Sequence, residues 1–159
     1  MCATVNITFA GLGGQGVLTA TDVLAAALFT QGYDVKKSEV HGMSQRGGSV
    51  SSEVRFGEAV ASPMIPDGES DYLVVTDMTQ IEVNLAKLKE GGVLITPDDF
   101  DWSSLSNKKA LNIALLGRLS TYFNIPEEIW MRAIASELPE KIHEVNFAAF
   151  KLGASSRQP

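Results

Sequence analysis

Residues 4–32 constrain the fold more than any other stretch. TVNITFA (4–10) is rich in β-branched residues, GLGGQG (11–16) follows, and VLTATDVLAAALFTQG (17–32) completes the unit. The first run reads as a buried strand. In the third, Val17, Ala20, Leu24, Ala27 and Leu28 recur at the spacing of one helix face, and Gly32 supplies a C-terminal stop. A strand that passes through glycines directly into a helix is the opening unit of an α/β sheet.

The rest of the chain continues the alternation. YDVKKSE (33–39) reads as a short second strand. In SVSSEVRF (49–56), Val50, Val54 and Phe56 point one way and Ser51, Glu53 and Arg55 the other, as in a half-buried strand. FGEAVASP suggests a short turn and strand ended by Pro63 and Pro66. DYLVVTD (71–77) is nearly all apolar, the pattern of a central strand covered on both faces. Residues 78–90 read as a helix with Ile81, Leu85 and Leu88 on one side, and GGVLITP (91–97) as another buried strand.

After a polar loop at 98–107, three helices are expected. One spans 108–123, one starts at Pro126 with Glu127 and Glu128 in its first turn, and one starts at Pro139 and stops at Gly153. The expected class is α/β: a three-layer, Rossmann-like, mainly parallel sheet flanked by helices, with a helical C-terminal third. One domain is expected over 1–153, with a frayed tail at 154–159.

Composition narrows the function classes. The net charge is −6, which is not the footprint of a general nucleic-acid binder. A single cysteine, Cys2, and two histidines, His41 and His143, cannot make a disulfide or a zinc or iron–sulfur ligand set, so no metal site is expected. The N-terminus lacks a basic region before its short apolar run, and no apolar stretch approaches membrane-spanning length. A cytoplasmic protein without a membrane segment is the expectation.

Two glycine-rich segments carry the chemistry. Gly11, Gly13 and Gly16 fit G-x-G-x-x-G, with Gly14 and Gln15 between them. A helix opening there offers unpaired N–H groups and partial positive charge to a phosphate. The same small residues would also serve a tight strand-to-helix turn. A nicotinamide site needs an acid about twenty positions on, at the end of the second strand. Glu39 is the nearest, but Lys36 and Lys37 precede it, which suits another anion better.

The second segment is VHGMSQRGGSV (40–50). The Gly47–Gly48 step can form an anion nest, and Arg46 adds a planar fork for phosphate or carboxylate. His41, Ser44 and Gln45 could add hydrogen bonds. A solvated surface loop is the alternative. His143, on the last helix, reads as structural or solvated rather than catalytic. No hydrolase elbow, Walker loop or nucleophile–base set is present, so the chain reads as part of an enzyme rather than a whole one.

FAGLGGQGVLTATDVLAAA, VHGMSQRGGSVSSEVRFG, ASPMIPDGESDYLVV, LNIALLGRL and EVNFAAFKLG follow one another over residues 4–153. Together they resemble the gamma subunit, or gamma domain, of 2-oxoacid:ferredoxin oxidoreductases. HGMSQRGG resembles the loop of the indolepyruvate branch, whose counterpart is a small (beta) subunit. The resemblance implies a complex that oxidatively decarboxylates a 2-oxoacid with coenzyme A to acyl-CoA, carbon dioxide and reduced ferredoxin. It implies that thiamine diphosphate, Mg and iron–sulfur clusters lie in a large partner subunit, with none bound by this chain alone. It also implies that this chain shapes the coenzyme A side of the active site. A dimeric arrangement is left open. Two other classes fit the residues: a stand-alone NAD(P)- or flavin-binding module, and a purely structural interface subunit.

Overall fold

The structure, a computed structural model, describes residues 3–41 and 48–156, with the backbone alone at His41. Five strands form one sheet in the order β2-β3-β1-β4-β5. They are β1 (Val5–Leu12), β2 (Asp34–His41), β3 (Ser49–Gly57), β4 (Ser70–Val75) and β5 (Leu88–Ile95). The helices are α1 (Val17–Thr30), α2 (Ile81–Asn84), α3 (Leu111–Ser120), α4 (Glu127–Glu137) and α5 (His143–Ser155).

β1, β4 and β5 pair in parallel, as the alternation predicts, while β3 runs antiparallel to both β1 and β2. The sheet is therefore mixed. Only residues 42–48 join β2 to β3, which is too short for the crossover that a parallel pair needs. β2 and β3 close instead as a hairpin that inserts β3 beside β1.

One sheet face carries Ile7, Phe9, Val54, Phe56 and Val74 into the main core, with Leu24 and Leu28 of α1, Leu115 and Leu119 of α3 and Trp130 of α4. At about 25 cal/mol per Å2 of apolar area, burying each such side chain contributes roughly 1.5–3 kcal/mol. The other face is covered more thinly. Ala10, Leu73 and Val75 pack there with Ile81, Leu88 and Leu94.

Several expected boundaries move. The helix expected over 78–90 is only α2 flanked by single 3-10 turns, and β5 begins at Leu88 rather than residue 91. Gly91, with φ of 76°, lies inside the strand where its pairing with β4 shifts register. The Gly91–Gly92 pair therefore marks a bulge and not a strand start. Residues 58–66 form no strand. Side chains of the hairpin hold them: Asp34 accepts from the Val60 N–H at 2.8 Å, and Arg55 donates to the carbonyls of Ser62 and Met64 at 2.8 and 3.0 Å.

This segment covers Glu53 and Lys87 reaches Ser51, so both are buried and the strand is not half-exposed. Glu53 is satisfied there by the Ile65 N–H at 3.2 Å and by Lys87 at 3.7 Å. Gly32 does end α1, with φ of 91°, but α5 continues past Gly153 to Ser155.

α3 and α5 cross through Gly117 and Gly153. A Cβ at Gly153 would overlap the Ala114 carbonyl, and one at Gly117 the Phe150 carbonyl. Gly153→Ala is expected to cost about 2–3 kcal/mol by forcing these helices apart. Thermal unfolding is expected to show this as a Tm lower by roughly 5–10 °C, against no change if the crossing is not built on contact.

Candidate functional site

The C-terminal ends of β1, β4 and β5 share one rim, where open α/β sheets hold ligands. β1 leads there into the glycine turn. Gly14 and Gly16 have φ of 87° and 75°, values that other residues adopt only with strain. A Cβ at Gly11 would strike Thr76 and Val17, and one at Gly16 would strike Asn112, whereas nothing lies within 4 Å of one at Gly14. Gly11 and Gly16 therefore serve close packing, and Gly14 is the open point of the turn.

No side chain caps α1 at Gly16, and its first turn carries no acid. Its N-terminal N–H groups face a cleft of about 290 Å3 lined by Gly13, Gly14, Gly16, Leu18 and Val50 among others. A second cleft, about 270 Å3, lies on the other side of the turn between Gly14, Gln15 and Thr76 and the residues Lys108, Lys109 and Leu111. Lys108 donates to the Trp102 and Ser103 carbonyls at 2.9 and 2.7 Å. The surroundings suit an anion, although the chain as a whole is acidic.

Gln15 does not point to either opening as a free group. Its Oε1 accepts from the Leu12 N–H and the Thr76 hydroxyl, both at 2.8 Å, and its Nε2 donates to Asp77 at 2.9 Å. Asp77 also caps the turn at 78–80, accepting from the Thr79 N–H at 3.0 Å and the Thr79 hydroxyl at 2.6 Å. The Thr79 and Gln15 hydrogen bonds hold its carboxyl below the usual carboxylate range. From α3, Asn112 donates to the Gly16 carbonyl at 3.0 Å.

Of the second glycine segment, Ser44, Gln45, Arg46 and Gly47 lie outside the described residues, and so does Cys2. The segment's two ends are visible. β2 ends at His41, whose Cα pairs with Val50, and Gly48 accepts from the Gly13 N–H at 2.9 Å. Leu12 pairs with Ser49 in the β1–β3 ladder. Both ends of the segment therefore stand on the rim that carries the glycine turn.

Lys36 and Lys37 do not join them. β2 runs on past these lysines to His41, so they sit mid-strand, where Lys36 pairs with Asp34 at 2.8 Å and Lys37 with Glu39 at 2.9 Å. Glu39 is no ribose acid either, because β3 lies between β2 and β1 and separates it from the turn. That geometry weighs against the dinucleotide module. His143 is structural as expected, its Nε2 lying 2.7 Å from the Leu138 carbonyl.

Sequence reasoning missed Thr76, Asp77, Gln80, Asn112, Lys108 and Lys109. The one signal available was position: Thr76 and Asp77 end the apolar run of β4, where the C-terminal rim had to be.

The model of the family described as pyruvate ferredoxin/flavodoxin oxidoreductase matches residues 6–103, and the chain belongs to that family. It is a subunit of a 2-oxoacid:ferredoxin oxidoreductase. An indolepyruvate oxidoreductase subunit IorB from Thermococcus kodakarensis is 32% identical, the match covering 95% of each chain. The IorB subunit of Pyrococcus horikoshii is 30% identical with the same coverage. The gamma subunit of the keto/oxoacid ferredoxin oxidoreductase from Geobacter sulfurreducens superposes with a TM-score of 0.78 at 25% identity, covering 96% of this chain and 95% of that one. A 2-oxoglutarate:ferredoxin oxidoreductase from Magnetococcus marinus shares the fold with a TM-score of 0.82 at 20% identity, over 98% of this chain but 31% of that longer chain. Among the described residues, no helix is long and apolar enough to cross a membrane.

The lowered Asp77 value gives a pH prediction. The stabilisation by the ionised carboxyl is complete above the ordinary Asp pKa of about 4 and is lost as pH falls through the lower folded value. Asp77→Asn is therefore expected to be less stable than the parent at neutral pH, with the gap closing below about pH 4. Denaturant melts across pH 3–7 test this; a gap that stays constant over the range would deny the carboxylate its part.

Proposed function

We propose that this chain is the gamma-type small subunit of an indolepyruvate- or arylpyruvate-type oxidoreductase, and that residues 1–153 act as one gamma-type domain within it. The holoenzyme oxidatively decarboxylates a 2-oxoacid with coenzyme A to acyl-CoA, carbon dioxide and reduced ferredoxin. Relatives named for indolepyruvate that match over 95% of their length support the branch. The Magnetococcus protein that contains this fold holds 2-oxoglutarate, coenzyme A and succinyl-CoA, which supports the reaction class.

Thiamine diphosphate with Mg and iron–sulfur clusters, held by a large partner subunit, supply the decarboxylation and electron transfer. One cysteine and two histidines do not fit a cluster that needs four thiolates. This chain's part is binding and orientation. Its rim faces the active site from the coenzyme A side. Arg46, Gly47 and Gly48 offer the forked cation and nest to an anionic group of the cofactor or substrate. Ser44, Gln45 and His41 flank that group and the subunit interface, and Gly11, Gly13, Gly14, Gln15 and Gly16 form the turn beside it.

The observation that carries this reading is the Gly13–Gly48 hydrogen bond, which ties the glycine turn to the return of the arginine-bearing segment on a single rim. In the complex reconstituted with its large subunit, Arg46→Ala is expected to raise KM for coenzyme A or the oxoacid about tenfold or more, the scale of one lost charge-assisted hydrogen bond. Unchanged kinetics for both substrates would remove the anion role.

A further inference from the structure

The rim holds more hydrogen bonds than the turn alone needs, and they form a closed circuit. The Gly13 N–H donates to the Gly48 carbonyl at 2.9 Å. Next to Gly48, the Ser49 hydroxyl donates to Gln80 Oε1 at 2.7 Å. The Gln80 N–H donates to the Asp77 carbonyl at 2.9 Å, inside the turn that the Asp77 carboxylate caps. That carboxylate takes Gln15 Nε2 at 2.9 Å, and Gln15 Oε1 returns the circuit to the Leu12 N–H at 2.8 Å, one residue from Gly13.

We propose that Gln15, Asp77, Gln80 and Ser49 are positioning residues that lock the glycine turn and the start of β3 at Gly48 and Ser49 into one unit, so that this rim is set from the end of β4 as well as from β1 and β3. This rests on the proposed role of that rim. Several features make the circuit more than local packing. Gln15 and Asp77 are 62 residues apart, and Ser49 and Gln80 are 31 apart, so each link joins separate elements. Gln80 is buried, which makes its amide costly to leave unpaired. The carboxylate hydrogen bonds are charge-assisted and stronger than neutral ones. Leu12 and Ser49 are also ladder partners, so a shift of either stub moves the other.

Breaking the circuit at Gln15 therefore reaches Gly48 and Ser49, which Gln15 does not touch. The test is amide hydrogen exchange on the complex of this chain with its large subunit, comparing parent, Gln15→Ala and Ser49→Ala. Gln15→Ala is expected to speed exchange about tenfold at residues 48–50 as well as at 12–16. Ser49→Ala, a mild change that preserves the fold if the Gln15 variant does not, is expected to speed exchange reciprocally at 12–16. KM is expected to rise with kcat less affected in both. Exchange that changes only beside each substituted residue would overturn the proposal. Exchange does not depend on substrate, so a null result for Arg46→Ala alone would count against the loop's substrate role and not against the circuit.

Discussion

The glycine turn after β1 keeps its shape because Gln15 holds it. Glycines let backbone approach a ligand closely, but they bring no side chain to fix where that backbone lies. Gln15 supplies the anchor from within the motif, folding back onto the Leu12 N–H and across to Thr76 and Asp77. A neutral amide suits this place because it accepts twice and donates once to a carboxylate, which neither an acid nor a lysine could do. α1 starts from that anchored turn without a side-chain cap.

The mixed sheet follows from a different constraint and serves the same rim. In a fully parallel arrangement, β2 would sit beside β1 and its terminal acid would reach the turn. Here the hairpin places β3 between them, with Ser49 opposite Leu12. The two ends of the 42–47 connection are thereby brought to the rim of the turn, while Glu39 is carried away from it. Four helices on one face and a thin cover on the other leave the rim framed chiefly by α1, the turn at 78–80 and the start of α3.

Much of this was legible beforehand. The strand–glycine–helix unit, the stripe of α1, its stop at Gly32 and the helix starting after Pro126 came from local patterns that depend on nearest neighbours along the chain. The reading faltered where local signals had two meanings. Gly91 and Gly92 looked like a strand boundary and are a bulge within β5. Ser51 and Glu53 looked solvated because they are polar, yet Lys87 reaches Ser51 and the 58–66 segment folds over Glu53. Lys36 and Lys37 looked like part of an anion site because they are near it in sequence, but β2 runs four residues further, and they remain paired mid-strand with Asp34 and Glu39.

By itself the sequence determined the α/β class, most of the order of elements, the two glycine-rich segments and the family they belong to, because periodicity, turn chemistry and motif spacing are written locally. Only the tertiary structure decided that β3 runs against its neighbours, that Gly48 and Ser49 return to the rim of the first glycine turn and that Gln15 is an internal anchor. Those facts rest on partners such as Asp77, Gln80 and Asn112, up to 96 residues away in the chain. Which of many polar residues meets which is set by how the sheet closes, and no local pattern encodes that closure.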